Sequence, residues 1–303
     1  MKESTHIPVL LKEVVELLRP GEKHDYADLT LGEGGHTDSL LEKGAKTVIA
    51  FDRDPDAVAS YRGRGKFRDD SRLTILHANF SEIGQHVHEG SLDGVLIDLG
   101  VSTAQLLNSG RGFSFASEAP LDMRMDPTSG ESLFETLENI SVTDLAEQLE
   151  RNTDMKKSGR LAKTILDAFR SGKIRTTTEL ARLFTHRKGA AHPATVPFMG
   201  LRMLVNRELE ETKAGIEGAL SALRPGGRLA VITFHSTEDR FVKRLLAKSA
   251  GKCVCGAMDR LMCVCPRQTT VRIILKHAQV PSRDELRRNA RSRSAKLRCV
   301  EKI

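Results

Sequence analysis

The sequence predicts an α/β protein whose doubly wound parallel sheet is interrupted by an all-helical insertion. Three observations lead there. Short apolar strand patterns alternate with helical ones from Val9 to Gly100. From Ser102 to Val205 no buried-strand pattern occurs, and helical periodicity takes over. Strand patterns then resume at Arg228–Ser236 and Thr270–Val280. Apolar strands separated by helices indicate a parallel sheet covered on both faces.

The elements follow in order. "VLLKEVVELL" (Val9–Leu18) has helical spacing and stops at Pro20-Gly21. "YADLTL" (Tyr26–Leu31) predicts the first strand, and a short helix from His36 to Lys43 ends at Gly44. "TVIAFD" (Thr47–Asp52), "LTILHANF" (Leu73–Phe80) and "GVLIDLG" (Gly94–Gly100) predict three more strands, with a helix starting over Asp56–Tyr61. In the central stretch, Ser132-x-x-Glu135 and Thr176-x-x-Glu179 read as capping boxes. Leu161, Ile165 and Phe169 share one helix face; Phe198, Leu201 and Val205 share another. A helix over Asn206–Leu223 and a Pro225-Gly226-Gly227 turn lead back to strands. The expected organisation is one discontinuous domain, 1–102 with 206–303, and an inserted helical domain, 103–205. An insertion after the fourth strand lies at the carboxyl edge of the sheet, where such folds bind ligands.

The 303 residues, 39% hydrophobic and 29% charged, suit a globular protein of one large or two ordinary domains. No apolar run reaches the ~20 residues of a membrane span, so no membrane partner is expected. Lys12 and Glu13 close the apolar patch Ile7–Leu11, which argues against a secretory signal. The expectation is therefore a cytoplasmic protein whose five cysteines are mostly reduced. The net charge is +7, with eight Lys/Arg and three Asp/Glu between Arg283 and Lys302. Such a segment is either a solvated tail or a contact for a polyanion such as RNA.

The stretch with most chemical content is "DLTLGEGGHT" (Asp28–Thr37). It resembles a dinucleotide fingerprint, but Thr37 stands where that motif has its last glycine. Asp52 closes the second strand, twenty residues after Gly32, where a carboxylate can accept from ribose hydroxyls. Asp98 closes the fourth strand beside the same crevice. Three readings fit: S-adenosylmethionine (AdoMet), NAD, or an ordinary glycine turn with Asp52 as a helix cap. Thr37 and the lack of a second mononucleotide half weaken NAD. AdoMet has no phosphate and needs a loop for its amino-acid end with an acidic strand end for its ribose. G-x-x-x-x-G-K-[ST], H-E-x-x-H and G-x-S-x-G are all absent from the sequence.

Further segments resemble, in order, the bacterial 16S ribosomal RNA (cytosine-N4) methyltransferases. They are "HIPVLLKEVV" (6–15), "AFDRDPDA" (50–57), "ANFSEI" (78–83), "DGVLIDLGVST" (93–103), "RGFSFASEAPLDMRMDP" (111–127), "HPAT" (192–195), "LRMLVNRELE" (201–210), "PGGRLAVITFHSTEDR" (225–240) and "RSRSAKLR" (291–298). The resemblance spans nearly the whole chain. It implies a class I AdoMet-dependent methyltransferase fold and methylation of the N4 exocyclic amine of a cytidine in the decoding centre of 16S rRNA, within the small ribosomal subunit. The implied cofactor contacts are Gly34, Gly35, His36, Asp52, Phe80, Asp98 and Gln105. Phe80 and Gln105 enter through the resemblance alone; Phe80 would wall the adenine, its other reading being a core aromatic. The chain departs from the family's pattern at Arg151–Gly159, at Val196 and at Asn289–Ser294.

A cytosine amine is a poor nucleophile, because its lone pair is delocalised into the ring. Catalysis should come from in-line positioning and from acceptors for the amine N–H bonds. Asp98 is the expected acceptor, with Asp122 and Arg124 of "PLDMRMD" and His235 of "TFHS" around the base. A satisfied strand-end histidine is the competing reading of His235. The base must leave its stack, and basic residues of the tail and insertion would hold phosphates. The competing functions are an AdoMet enzyme for another RNA, DNA or small molecule, and a non-catalytic RNA-binding assembly factor. Separately, Cys253-x-Cys255 and Cys263-x-Cys265 could close a structural zinc site or be four reduced thiols, while Cys299 reads as an ordinary small residue.

Overall fold

The computed structural model describes residues 7–107, 109–184, 192–255 and 268–303. Packing divides the chain into two units, Met1–Gly100 with Glu210–Ile303, and Val101–Leu209.

The first unit is built on a seven-stranded sheet of order β3-β2-β1-β4-β5-β7-β6. Its strands are β1 (Asp25–Asp28), β2 (Thr47–Asp52), β3 (Leu73–His77), β4 (Leu92–Asp98), β5 (Leu223–Thr233), β6 (Val271–Ile273) and β7 (Lys296–Lys302). The first five pair in parallel; β7 runs antiparallel between β5 and β6. Both faces are buried. Along β4, Val95 and Ile97 belong to one core and Leu96 to the other, as the period-two geometry of a strand demands. The helix α1 (Leu11–Leu18) precedes β1, and α2 (Gly35–Glu42), α3 (Pro55–Arg64) and α4 (Ile83–His86) connect the early strands. This order, with its antiparallel seventh strand, is the class I methyltransferase sheet.

The second unit carries α5 (Thr103–Leu107), α6 (Leu133–Asn139), α7 (Val142–Thr153), α8 (Gly159–Arg170), α9 (Thr177–Arg182) and α10 (Thr195–Val205). Among its described residues it has no strand beyond an isolated bridge, Pro120 to Thr176. Leu133, Leu145, Leu149, Ile165, Phe169, Leu180, Phe198 and Leu201 form its own core. Both anticipated capping boxes are present: Ser132 and Glu135 open α6, Thr176 and Glu179 open α9. The chain then runs through α11 (Glu208–Ala222) into β5, and α12 (Ser236–Ser249) follows. No helix among the described residues is long and apolar enough to cross a membrane.

Several boundaries differ from the sequence pattern, each for a local reason. The first helix starts at Leu11, because buried Leu10 is left-handed (φ 54°) and its N–H donates to Glu285 Oε1 at 2.9 Å. β1 stops at Asp28; beyond it the Leu29 N–H still donates to the Leu96 carbonyl and the Leu31 N–H to the Phe51 carbonyl. β3 stops at His77, since Asn79 and Glu82 form a capping box around a 3₁₀ turn, Phe80–Glu82. β5 begins at Leu223, and its register jumps between the Leu92–Leu223 and Gly94–Arg228 pairs, which absorbs Pro225-Gly226-Gly227. β6 keeps only three of the residues between Thr270 and Val280.

The largest correction concerns the basic segment. Arg283–Lys302 is not a solvated tail. It forms α13 (Arg283–Arg288), a 3₁₀ turn (Ala290–Ser294) and β7. Leu297, Cys299 and Val300 are buried, while Arg298 and Lys296 pair with Asp239 of α12 at 2.7 and 3.2 Å.

Candidate active site

The parallel strands deliver carboxylates to their carboxyl ends, and each is used differently. Asp28, at the end of β1, is fully buried. Its Oδ2 accepts from the Thr37 hydroxyl at 2.7 Å and its Oδ1 from the Thr30 N–H at 3.1 Å. Thr37 thus replaces the expected glycine because its hydroxyl pins the first turn of α2 to the strand that precedes the loop. Thr37→Val keeps the shape and removes the donor. It should cost about 1–3 kcal/mol, read by urea unfolding, as for any buried acceptor left without its partner.

Asp52, at the end of β2, accepts from the Gly32 N–H (2.7 Å) and the Asp54 N–H (2.8 Å). It is therefore not the cap of α3; Asp54 is, accepting from Asp56 at 3.0 Å. Burial lifts the Asp52 carboxyl to about 6 against these two hydrogen bonds, with Asp54 and Asp28 adding repulsion.

The glycines are demanded by packing. Gly34 has φ 84°, and a Cβ there would stand 1.9 Å from the Tyr61 ring. A Cβ on Gly35 would stand 2.1 Å from Pro8. The Gly34 N–H is already spent on the Leu31 carbonyl at 2.7 Å. No side chain caps α2, so its opening amides carry the N-terminal partial charge of the helix.

Asp98 ends β4. Its backbone N–H donates to Thr30 Oγ1 at 2.7 Å. Its Oδ1 is buried and meets no hydrogen-bond donor among the described residues. The side chain as a whole stays 21% exposed, and its Oδ2 lies 3.9 Å from His36 Nδ1. Burial pushes this carboxyl well above the usual range, with further repulsion from Asp28 and Glu238. The other nitrogen of His36, Nε2, lies 3.0 Å from the Val9 carbonyl. A carbonyl only accepts, so Nε2 carries the proton and Nδ1 faces Asp98.

His235 follows β5 as the N-cap of α12. Its Nδ1 accepts from the Glu238 N–H at 3.3 Å, and Glu238 Oε2 accepts from the Phe234 N–H at 2.7 Å. The histidine performs as N-cap the part usually taken by Ser or Asp. Phe80 is partly buried and packs over Gly215 of α11, where a Cβ would be 2.3 Å from the ring. Gln105 lies in the second unit and closes another capping box: its Oε1 accepts from the Ser102 N–H (2.9 Å) and its N–H donates to Ser102 Oγ (3.1 Å).

Asp122 and Arg124 also lie in the second unit and face each other. Arg124 Nε and Nη2 donate to the two Asp122 oxygens at 2.8 and 2.9 Å. Burial opposes ionisation of Asp122, but Arg124 outweighs it and holds the carboxyl below its usual range. Between them Met123 is buried and left-handed (φ 62°). Asn206 braces that strained backbone, donating to the Met123 carbonyl (2.7 Å) and accepting from the Met125 N–H (2.8 Å).

The structure therefore gathers Gly34, Gly35, His36, Asp52 and Asp98 around the ends of β1, β2 and β4. Asp28, Pro8, Val9 and Tyr61 hold them there, and sequence reasoning missed all four. Asp28 had one visible signal, an acid directly before a glycine-rich turn. Of the cysteine set, Cys253 and Cys255 are exposed with Sγ atoms 3.2 Å apart, and Cys263 and Cys265 lie outside the described residues. Among the described residues no cysteine belongs to a group of three or more metal-ligand side chains.

Comparison with known proteins matches the chain to a family. Two relatives are each called ribosomal RNA small subunit methyltransferase H. The one from Thermomicrobium roseum is 40% identical, covering 99% of this chain and 94% of its own. The one from Xylella fastidiosa (strain M12) is 42% identical, covering 99% and 97%. A solved structure of a putative methyltransferase from Streptococcus mutans in complex with SAH aligns with a TM-score of 0.46 at 12% identity, over 99% of this chain and 100% of that one. The family model described as the MraW methylase family matches residues 3–303, and the chain belongs to that family of methyltransferases.

Proposed function

We propose that the chain transfers the methyl group of AdoMet to the N4 amine of a cytidine in the decoding centre of 16S rRNA. The observation that carries this is the buried Oδ1 of Asp98 at the carboxyl end of β4, which meets no donor among the described residues. The surrounding charge supports the cofactor. Asp28, Asp52 and Glu238 stand with Asp98 in one network of mutual repulsion. Such a crevice favours a sulfonium and an ammonium and repels a pyrophosphate, so it suits AdoMet rather than NAD. The names of the relatives support small-subunit ribosomal RNA as the substrate, and the cytidine N4 follows the family resemblance of the sequence motifs.

AdoMet supplies an already activated methyl group. Asp52 and the amides opening α2 would hold its ribose and amino-acid ends, with Gly34, Gly35 and His36 forming the loop. Phe80 and Gln105 would bound the remainder. In a crevice without a cation, burial and the neighbouring acids favour the protonated form of Asp98. Positive charge entering the crevice favours the carboxylate, which would accept an N–H of the cytosine amine as its lone pair leaves the ring. Asp122 and Arg124 would present a fixed, paired edge to the base, and His235 would border it.

The test is methyl transfer from labelled AdoMet to small subunits and to naked 16S rRNA, followed by nucleoside analysis. N4-methylcytidine at one position is the expected product. Label in another nucleoside would overturn the substrate, and AdoMet binding without transfer to either RNA would favour an assembly factor.

A further inference from the structure

The fold sorts the basic residues of Arg283–Lys302 into two classes. Lys296, Arg298 and Lys302 are committed internally: the first two pair with Asp239, and Lys302 Nζ donates to the Leu220 carbonyl at 2.9 Å. Arg283, Arg287, Arg288, Arg291 and Arg293 are all exposed on α13 and its 3₁₀ turn. Arg287 has one ion pair, with Asp284 at 3.5 Å. Among the described residues, the side chains of the other four make no hydrogen bond or ion pair. Two acids share the corner, and one of them, Glu285, accepts the Leu10 N–H.

The corner is rigid. Ser282 caps α13, accepting from the Glu285 N–H at 3.1 Å. Asn289 caps the 3₁₀ turn and donates through Nδ2 to the Ile7 carbonyl at 3.0 Å. Buried Ser292 donates to the Asn289 carbonyl at 2.7 Å. Exposed like charges held close on fixed backbone cost stability, and a polyanion removes that cost. Guanidinium groups match phosphate oxygens in pairs. The six-residue helix has Leu286 as its only apolar side chain, so no apolar face is offered to a lipid surface.

We propose that this arginine corner is a phosphate-docking surface for the RNA substrate, gripping its backbone. The partner rests on the reading given under Proposed function. The test compares the full chain with a variant carrying Arg287→Gln, Arg288→Gln, Arg291→Gln and Arg293→Gln. A control carries Lys23→Gln, Lys43→Gln, Arg64→Gln and Arg68→Gln, which lowers the charge equally on other exposed positions. Binding of naked 16S rRNA is measured by filter retention across a salt series, and AdoMet binding by calorimetry. The corner variant should bind RNA about tenfold or more weakly, with a salt slope shallower by about 0.7 for each phosphate no longer neutralised. Its AdoMet affinity should match that of the parent and the control. RNA affinity and slope equal to the control's would overturn the proposal, even if methyl transfer to RNA is confirmed. Weaker binding by the corner variant alone would uphold it, even if the methylated nucleoside proves to be another.

Discussion

Asp98→Asn should lower single-turnover methyl transfer by about 10²–10³-fold, the usual loss when a preorganised group facing developing charge is removed. The amide keeps the size of the carboxyl but has no negative charge. It can also turn an N–H toward the amine where an acceptor is required. Stability should move the other way. The Asp98 carboxyl is raised in the folded state, so the folded chain binds a proton that the unfolded chain has released. Its contribution is fully present below the ordinary carboxylate pKa and is lost as pH rises through the raised value. The ligand-free Asn variant should therefore have the higher Tm at neutral pH, and the difference should vanish in acid. AdoMet should lower the Asp98 carboxyl again, so its affinity for the parent should rise with pH through the raised value, a dependence the variant lacks. A variant with parental turnover would end the acceptor role.

Gly34→Ala should be nearly as damaging, by another route. The new Cβ would stand 1.9 Å from a ring carbon of Tyr61, on a residue with φ 84°. Left-handed strain costs about 1–2 kcal/mol and overpacking about 1–3. Tyr61 cannot simply swing aside, because it is buried and its hydroxyl donates to Asp38. The loop must move instead, and AdoMet affinity should fall with it. Gly32→Ala is the internal comparison, with φ 52° but no atom nearer than 4.0 Å to its Cβ. It should show the strain without the clash. Adding Tyr61→Leu to Gly34→Ala should recover the steric part alone. Equal unfolding midpoints for the two alanine variants would refute the Tyr61 argument.

Legibility in the sequence follows the range of the forces involved. β2 occurs over Thr47–Asp52 as expected, because a parallel strand paired on both edges is marked by its own apolar run. The capping boxes of α6 and α9 are local pairs three residues apart, and they are equally visible. The same logic applies to Ser102 and Gln105, but the family resemblance points to Gln105 only as a ligand contact. β7 is hidden because its residues read as charge. The alternation of Leu297 and Cys299 with Lys296 and Arg298 is a strand signal, and its charges are answered by Asp239, far away in sequence. Asp52 and Asp98 are legible as strand ends, whereas their surroundings are not. Nothing near Gly34 announces Tyr61, nothing near Gly35 announces Pro8, and nothing near His36 announces Val9. Those contacts exist only after the sheet has folded.

The place of β7 has a consequence for how the chain is made. It is the last strand in sequence, yet it lies inside the sheet, between β5 and β6. The α13 segment just before it holds Ile7 and Leu10, which flank the Pro8 and Val9 that buttress the glycine loop and His36. During vectorial synthesis this part of the site therefore stays unsupported until residues 283–302 have emerged. A nascent chain lacking residues 283–302 leaves β5 and β6 unjoined and the loop unbraced, however well the earlier strands have paired.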